Sequence, residues 1–568
     1  MSRSLMKHPD DHRKAAMNAH APLNGPRRNV VVIGGGIAGL ASAALLAEEG
    51  HTVTVLEKQA ATGGRAGLWE SDGFRFDTGP SWYLMPEVID HFFRLLGTSA
   101  ADHLELVKLD PGYRVYSEGH TEPINVPAER ADVVKLFNDV EPGAGEALEK
   151  YLDSAGETYT MATRRFLYTT FQSFLPLLRP DVLSRVPKLV RLLLQPLSKL
   201  AAATVTDNRL RQILGYPAVF LGTSPFEAPS MYHLMSHLDL DDGVLYPMGG
   251  FTRLTEAIDS QARSRNVEVI TGARVEQILT LPGDGRSQKA RVTGVRWVSA
   301  DGTEHTTPAD TVVAANDLHH AETQLLQPAD QTYPEKYWSG RTAGPSALLL
   351  YLGVKGQLPE LEHHTLLFTA DWEDNFSRIF GKTTSVPTPA SLYVCRPSAT
   401  DPGVAPQGHE NVFVLVPLPA DPGLGAGGID GAGDQRIENL ADTVIDQISN
   451  WANIPDLADR IVVRRTYGPQ DFVGDFNAWQ GTSLGPAHVL KQSAFFRGRN
   501  KSRKVEGLYY AGSSTIPGIG IPMCLISAEL LIKRLRSDTS TGPLAEPLVA
   551  PGSGAAVGSE VDKGTVRQ

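Results

Sequence analysis

The stretch NVVVIGGGIAG, residues 29–39, joins a short apolar run to a turn of three glycines. The apolar run at 29–33 is typical of a strand that is buried on both faces. An alanine- and leucine-rich segment at 40–49 predicts a helix, and Gly50 is suited to the position just after its end. Thr52–Leu56 (TVTVL) predicts the next strand. A β-α-β unit within about 30 residues predicts a parallel sheet.

The spacing of Gly34, Gly36 and Gly39 satisfies G-x-G-x-x-G. In such a loop the first glycine makes the tight turn, the second lets the backbone approach a pyrophosphate, and the third allows close helix–strand packing. The helix N-terminus adds N–H donors and positive potential. Glu57 ends the second strand 18 residues after Gly39, where it can accept hydrogen bonds from a ribose hydroxyl and disfavours a 2′-phosphate. The loop therefore predicts a dinucleotide site. A glycine turn without a ligand is the alternative, and the surrounding context argues against it.

Two motifs follow the second strand. Thr62–Arg65 (TGGR) comes directly after it, and residues 74–80 read FRFDTGP. This order resembles the amine oxidase and carotenoid desaturase superfamily of flavoproteins. The resemblance implies FAD as the cofactor, with the G-G-R segment along it and Arg65 near its phosphates. A guanidinium suits that position because it is always charged and matches the geometry of oxyanions.

A matching feature lies near the other end of the chain. Residues 506–522 (EGLYYAGSSTIPGIGIP) predict a strand, a glycine turn and a helix N-terminus, which together form an anion- and cofactor-binding corner. With YPMGG at 246–250 and VVAAND at 312–317, this segment resembles the bacterial and fungal phytoene desaturase family. The resemblance spans about 29–535 and implies that the corner closes over the ribityl chain and flavin ring. The family usually reads G-x-G-[ST]-H-P-G-x-G-[IV]-P, and Ile516 stands where histidine is common, so no role for that histidine carries over.

The motifs and the resemblance give candidate FAD-binding residues from both ends of the chain. The candidates are Gly34, Gly36, Ile37, Ala38, Gly39, Glu57, Lys58, Gly63, Gly64, Arg65, Gly79, Pro80, Ser81, Val275, Gly512, Ser513, Gly520, Ile521 and Pro522. No metal site is predicted, since Cys395 and Cys524 stand far apart and no histidine spacing stands out. His237 and Asp239 are candidates for accepting a proton, but a structural histidine and a surface acid are simpler interpretations. The catalytic residues stay unassigned.

These observations predict an α/β fold in which a Rossmann-like FAD-binding domain is interleaved with a substrate domain and a helical region that is a candidate for membrane contact. The expected division is a disordered tail at 1–28, FAD-binding segments at 29–110, 246–320 and 481–537, a substrate and helical membrane-contacting region at 111–245, a substrate domain at 321–480, and a disordered tail at 538–568. Further strands are predicted at 267–270, 290–298, 311–314, 347–352, 412–416 and 508–510, with a last helix at 526–535.

Charge and composition exclude some classes of function and indicate the cellular compartment. The formal net charge of −11 argues against nucleic-acid binding, which needs a surplus of Lys and Arg. Two cysteines in 568 residues favour a reducing compartment. The start of the chain lacks an apolar stretch of signal-peptide length, and no run of about 18 apolar residues occurs. We therefore expect a cytoplasmic protein, either soluble or peripheral on the inner face of the cell membrane.

Residues 160–213 reverse the overall charge, with nine Lys or Arg against two acids. Within them, 182–200 places Val186, Leu189, Val190, Leu193, Leu197 and Leu200 on one side of a helical wheel and Arg185, Lys188, Arg191 and Lys199 on the other. This pattern is typical of a helix at an anionic lipid surface. Because Pro187 and Pro196 interrupt it, we expect two short helices. An amphipathic helix packed on its own domain is the alternative.

The resemblance implies that FAD takes a hydride at N5 from a long apolar polyene such as phytoene, while a base or water takes a proton. The protein then supplies orientation and excludes water. Oxygen or a quinone would be the electron acceptor. Two alternatives stay open: another flavin oxidase of the same fold (an amine oxidase, a carotenoid ketolase or a retinol saturase), or a non-redox prenyl-binding protein. The complete pyrophosphate loop counts against the second.

Overall fold

The computed structural model describes residues 27–172, 186–283 and 289–548. Most of the two predicted tails, residues 1–26 and 549–568, lies outside the described residues. Three charged residues of the basic segment also lie outside them: Arg179, Asp181 and Arg185.

Strands are spread over the whole described chain and alternate with helices. In chain order they are β1 Asn29–Ile33, β2 Thr52–Leu56, β3 Leu68–Ser71, β4 Phe74–Asp77, β5 Leu106–Lys108, β6 Tyr113–Ser117, β7 Ile124–Val126, β8 Leu245–Pro247, β9 Glu268–Ile270, β10 Arg274–Leu281, β11 Ala290–Val298, β12 Glu304–Pro308, β13 Thr311–Ala314, β14 Ser346–Lys355, β15 His364–Phe368, β16 Leu392–Cys395, β17 His409–Leu418, β18 Ile461–Tyr467, β19 Val505–Glu506 and β20 Leu508–Tyr510.

The helices group into those that cover the sheets and those of a separate helical region. In chain order they are α1 Ile37–Glu48, α2 Pro86–Leu95, α3 Arg130–Val140, α4 Ala144–Ala162, α5 Val186–Leu194, α6 Leu197–Thr204, α7 Asn208–Gly215, α8 Pro217–Phe220, α9 Leu234–Leu240, α10 Thr252–Ser264, α11 Leu318–Thr323, α12 Glu335–Trp338, α13 Trp372–Phe380, α14 Gln435–Trp451, α15 Pro469–Phe476 and α16 Ile521–Arg536.

A five-stranded parallel sheet with the order β20-β13-β1-β2-β9 forms the centre of the fold. In β1, Val30 and Val32 pack in the same core cluster as residues of α1, α10 and α16. Val31 and Ile33 point the other way, into the cluster formed by β10 and β11. Burying each of these side chains contributes roughly 1.5–3 kcal/mol, which explains why β1 is apolar at successive positions. The sheet draws its strands from both ends and the middle of the chain.

A seven-stranded mixed sheet with the order β18-β14-β17-β16-β15-β6-β7 forms a second layer. Its central pair, β14 and β17, matches from Ser346 opposite Leu418 to Lys355 opposite His409. This long pairing extends both strands beyond the predicted 347–352 and 412–416. One face of the sheet packs on α14, so alternate residues are left for the opposite face.

The helical region contains the basic segment. Helix α4 continues into a π-helical turn at Thr163–Leu167. Helices α5 and α6 are separate, and Pro196 is the residue before α6, as the two prolines predict. Leu197 is buried, whereas Val190 and Leu194 of α5 have 46% and 70% of their surface exposed. The apolar side of α5 is therefore only partly covered.

The C-terminal end of the described chain differs from the prediction in two ways. Helix α16 begins at Ile521, five residues before the predicted start, because Pro522 lies in the first turn, where its missing N–H costs no hydrogen bond. Residues 538–548 pack against the rest of the protein although composition predicts a disordered tail. Leu548 is buried and its N–H donates to the carbonyl of Leu95 (2.8 Å). One buried apolar residue changes the overall composition of a segment very little, so composition alone does not reveal this contact.

Substitution of two glycines tests the packing of the central β-α-β unit. A Cβ at Gly39 would lie 1.9 Å from the backbone oxygen of Gly34, whereas a Cβ at Gly474, within α15, meets nothing within 4 Å. We expect Gly39→Ala to prevent folding or to lower the melting temperature strongly. Gly474→Ala should be neutral or stabilising by up to about 1 kcal/mol, since alanine favours a helix. Thermal melting of both variants measures this, and equal melting temperatures would contradict it.

Candidate active site

A cavity of about 990 Å³ lies between the parallel sheet, the seven-stranded sheet and the helical region. This volume is at the upper end of the range found for small-molecule sites. One end of its wall is built by the loop after β1, the segment after β2 and the C-terminal corner. The other end is built by side chains of the seven-stranded sheet and of helices that include α5 and α9. The polar end and the apolar end are therefore parts of one continuous cavity.

The glycine loop forms the turn that its spacing predicts. Gly34 has a φ of +100°, and its N–H donates to the carbonyl of Leu56 (2.8 Å). Gly36 precedes α1 and no side chain caps this helix. Ile37 and Ala38, in the first turn of α1, line the cavity. A helix N-terminus with free backbone donors is a binding site for an anion such as a phosphate.

Glu57 lies at the end of β2, in the cavity wall. It is 6% exposed, and its carboxylate accepts hydrogen bonds from the N–H of Gly35 (2.6 Å) and of Gln59 (2.7 Å). These contacts fix the carboxylate against the glycine loop. Each oxygen keeps a further lone pair, so the group can still accept a hydrogen bond from a ribose hydroxyl.

Arg65 is a partly buried cation in the same wall. Its Nε is buried without a hydrogen-bond partner, and its guanidinium lies over the ring of Phe476 (5.1 Å). Burial lowers the pKa of Arg65, with the charge of Asp317 opposing the shift. A guanidinium whose buried Nε is an unused donor fits an anionic ligand in the adjacent cavity. The residues present therefore fit the pyrophosphate of a dinucleotide.

The C-terminal corner approaches the glycine loop from the neighbouring strands. The N–H of Ala511 donates to the carbonyl of Ala314 (3.1 Å), which continues the pairing of β20 with β13. Gly512 then turns with a φ of +108°, and its N–H donates to the hydroxyl of Ser527 (2.8 Å). Gly520 precedes α16 with a φ of +112°. The N-termini of α1 and α16 therefore border one cavity.

Every candidate FAD-binding residue except Gly39 lines this cavity. Gly39 packs against Gly34 instead, as its place in the motif predicts. Lys58 lines the cavity, but its Nζ donates to the carbonyl of Gly474 (2.7 Å) and to Asn477 Oδ1 (3.3 Å). The structure thus brings the candidates together, and their individual contacts with FAD stay predictions.

The apolar end of the cavity is rich in aromatic side chains. Its walls come from alternate residues of the seven-stranded sheet and from the helical region. The lining includes Trp82, Phe166, Leu167, Phe171, Leu193, Phe220, Met231, Leu234, Met235, Leu238, Leu349, Leu366, Phe368, Trp372, Leu415, Phe472, Phe495 and Phe496.

His237 and Asp239 do not line the cavity, so the structure does not support them as proton acceptors in contact with a substrate. Helix α9 presents Leu234, Met235 and Leu238 to the cavity and turns His237 and Asp239 away from it. His237 faces Asp241 (Nδ1 to Oδ2, 2.8 Å). Asp239 accepts a hydrogen bond from the hydroxyl of Tyr216 (2.6 Å), and burial raises the pKa of Asp239 to about 7. The helical periodicity of residues 231–239 by itself predicts that His237 and Asp239 lie off the apolar face of this segment.

His488 is a cavity residue that the sequence did not indicate. Its Nδ1 lies 3.1 Å from the carbonyl oxygen of Leu221, which fixes the proton on Nδ1 and leaves Nε2 as an acceptor. A Cβ at Gly518 would lie 2.3 Å from Nε2, so the ring lies directly against the C-terminal corner. Burial lowers the pKa of His488 well below its usual value, so the ring is neutral. No motif surrounds His488, and its position follows only from the folded chain.

Comparison with known proteins places these features in a family. The model of the family described as flavin containing amine oxidoreductase matches residues 37–530. A carotenoid 3,4-desaturase of Haloarcula japonica is 39% identical over 510 residues, which cover 90% of this chain and 98% of that protein. A zeta-carotene-forming phytoene desaturase of Myxococcus xanthus is 34% identical, with 89% of this chain and 94% of that protein covered.

The chain is a member of the carotenoid desaturase family, within the flavin-containing amine oxidoreductases. It is an FAD-dependent oxidoreductase, and the cofactor prediction is confirmed at this level. Solved structures agree on the fold. An oxidoreductase from Methanosarcina mazei has a TM-score of 0.56 at 16% identity and covers 89% of this chain and 100% of that one. Putrescine oxidase has a TM-score of 0.55 at 13% identity, with 90% of this chain and 99% of that one covered.

Replacement of Arg65 tests the fit of the cavity to FAD. We expect Arg65→Gln to weaken FAD binding by about 10- to 100-fold, since hydrogen bonds to charged groups contribute about 1.5–3 kcal/mol. Arg253→Gln is the matched control, because Arg253 is exposed and pairs with Glu256. Titration of the deflavinated proteins with FAD, followed by flavin fluorescence, measures both dissociation constants. An unchanged constant for Arg65→Gln would rule out a phosphate contact.

Proposed function

We propose that the protein is an FAD-dependent desaturase that introduces a carbon–carbon double bond into a long apolar polyene. The observation that carries this proposal is the continuity of the cavity, which runs from the dinucleotide-binding loop to an aromatic, apolar chamber. A substrate in that chamber can reach a flavin held at the polar end without entering water. The names of the relatives, carotenoid 3,4-desaturase and phytoene desaturase, support the same class of substrate.

FAD, when bound, supplies the acceptor for a hydride from an allylic C–H bond, and oxygen or a quinone would reoxidise it. The residues of the chain hold the polyene and exclude water from the carbocation that hydride loss leaves. They also provide a place for the second hydrogen, which leaves the adjacent carbon as a proton when the new double bond forms. A carbocation beside a C–H bond is a strong acid, so even a weak base suffices.

His488 Nε2 is the group that we propose for this proton. The ring is neutral, its Nδ1–H is held by the carbonyl of Leu221, and it lies in the cavity wall beside Gly518. Tyr232 packs edge-on against the ring (6.0 Å between centroids). The low pKa of His488 lets the imidazolium release its proton readily after each turnover.

The two alternatives predict different ligands. An amine oxidase would bind an alkylammonium ion or its amine, whereas the chamber beside the polar end is lined by aromatic and aliphatic side chains. Cys524 lies in the wall, but burial raises the pKa of its thiol to about 11, which disfavours the thiolate that attachment to a flavin would need. A prenyl-binding protein has no use for the anion-binding end.

Anaerobic mixing of the FAD-loaded protein with candidate substrates tests the reaction. We expect phytoene or a partly desaturated carotene, presented in lipid vesicles, to bleach the oxidised flavin spectrum and to give a product with longer conjugation. A panel of primary amines should leave the spectrum unchanged. Bleaching by amines with no response to any carotene would overturn the proposed function.

In the same assay, His488→Gln separates proton transfer from binding. We expect a fall of about 100-fold in turnover, because general base contributions are typically 10²–10⁴-fold, with flavin content and KM little changed. Turnover equal to that of the unaltered protein would remove His488 from the mechanism and leave the desaturase proposal intact.

We further propose that the protein docks on a membrane around the apolar end of the cavity. No helix within 27–172, 186–283 and 289–548 is long and apolar enough to cross a membrane. Leu193, Phe495 and Phe496 line the cavity, and Phe495 and Phe496 are 42% and 48% exposed. Leu194 is 70% exposed on the same helix as the exposed Arg191. Apolar side chains flanked by basic ones suit an anionic lipid surface and give a lipid-dissolved substrate a route inward.

Paired substitutions of exposed apolar residues test the docking surface. We expect the double variant Leu194→Ser, Phe496→Ser to bind anionic vesicles at least about 30-fold more weakly, since each side chain buried in lipid contributes about 1 kcal/mol or more. The matched control is Leu281→Ser, Val462→Ser, two residues that are 52% and 53% exposed but do not line the cavity. Co-sedimentation with vesicles measures both, and equal losses would contradict a specific surface.

A further inference from the structure

Three metal-ligating side chains meet behind the wall of the cavity, on two neighbouring strands. His363 precedes β15, His364 is its first residue, and Cys395 ends β16, where His364 pairs directly with Cys395. One ligand atom from each of the three lies within 4.8 Å of the other two. The exposed fractions are 4% for His363, 0% for His364 and 4% for Cys395. The cluster is closed to solvent.

Each imidazole keeps one ring nitrogen in use and one without a partner. His363 Nδ1 is 2.8 Å from the hydroxyl of Thr400, and His364 Nδ1 is 2.7 Å from the hydroxyl of Tyr393. Nε2 of both rings is buried and has no hydrogen-bond partner. A buried polar atom left unpaired costs about 1–3 kcal/mol, so two of them in one cluster need an explanation. In metal sites the second nitrogen of a ligating histidine is held by just such an outer hydrogen bond.

We propose that His363, His364 and Cys395 bind one thiophilic metal ion, Zn²⁺ or Cu⁺. Two imidazole nitrogens and one thiolate are a ligand set that suits either ion. Binding forms one metal–sulfur and two metal–nitrogen bonds and releases the thiol proton of Cys395 to solvent. With Cu⁺ the thiolate makes the site neutral overall. With Zn²⁺ one positive charge remains, and the carboxyl of Asp77 is the acidic group whose charge acts on Cys395.

A metal here would fix part of the substrate chamber rather than take part in the reaction. Trp82 stacks on the ring of His364 (4.4 Å between centroids, 11° between planes). Tyr393, which holds His364 Nδ1, lines the cavity together with Trp82. Coordination would therefore lock two aromatic residues of the chamber in place. The role assigned to the metal is structural and does not rest on the proposed reaction.

Metal analysis of the FAD-loaded protein tests the site. The protein is purified without chelator, loaded anaerobically with Zn²⁺ in one arm and Cu⁺ in the other, dialysed, and analysed by mass spectrometry for metal per chain. We expect one equivalent of one of the two ions and a higher melting temperature, with the gain reversed by a strong chelator. Loading with Co²⁺ should add ligand-field absorption in the red, outside the flavin bands, with a sulfur-to-cobalt charge-transfer band in the near ultraviolet.

Cysteine variants give the matched comparison. Cys395→Ser should weaken metal binding at least 10-fold and abolish the charge-transfer band, while Cys524→Ser, at the other buried cysteine, should retain both. His363→Gln provides a second variant, outside both β15 and β16, in case Cys395→Ser fails to fold. Folded, FAD-loaded protein that takes up neither ion would overturn the proposal, and so would full binding by both Cys395→Ser and His363→Gln.

Discussion

In the first turn of α1, the Cα of Gly39 lies so near the carbonyl oxygen of Gly34 that a methyl group would come within 1.9 Å of it. Helix α1 can therefore lie directly on β1, with its N-terminus aimed over the end of the parallel sheet. The carboxylate of Glu57 binds the N–H of Gly35 from the next strand, and the corner at Gly512 approaches from the other side. A bulkier residue at Gly39 would displace the helix on which all these contacts depend.

The cavity combines two kinds of chemistry because two sheets contribute to it. Where the parallel sheet borders the cavity, helix N-termini and glycine turns follow its strands. Their backbone groups make this end of the cavity polar, so few polar side chains are needed there. The seven-stranded sheet presents one face to α14 and the alternate face to the chamber, so its strands are apolar on both sides. A flavin bound at the junction would lie between the backbone donors of the glycine turns and the apolar chamber. The same geometry leaves the exposed Phe495 and Phe496 at the far end.

Sequence reasoning was most successful where function depends on local backbone. The loop at 34–39, the acid at Glu57 and the C-terminal corner are each contained in a short segment, so glycine spacing and strand–turn–helix order reveal them. Prediction was weaker for helix boundaries. In the sequence, Pro522 looks like a residue that precedes the helix, but in the structure it lies in the first turn of α16. It was also weaker for residues 538–548, where a few apolar anchors decide the packing.

The groups that the sequence did not indicate are those that tertiary structure alone brings together. His363 and His364 are adjacent, and alternation along a strand would place their rings on opposite faces. His363 precedes β15, however, so the alternation does not apply, and the ring centroids are 4.6 Å apart. Cys395 joins them through strand pairing across about 30 residues. His488 likewise reaches the corner at Gly518 from a segment with no recognisable motif.

The order of strands in the parallel sheet also bears on how the protein is made. Strand β1 is among the first described elements to leave the ribosome. Strands β13 and β20, which complete the sheet on one side of it, are finished only at residues 314 and 510. The flavin site therefore cannot close during most of translation. Until α16 emerges, the walls of the apolar chamber stay open to solvent, and a nascent chain in this condition is exposed to aggregation. We therefore expect flavin binding to follow the synthesis of α16, which completes the cavity wall.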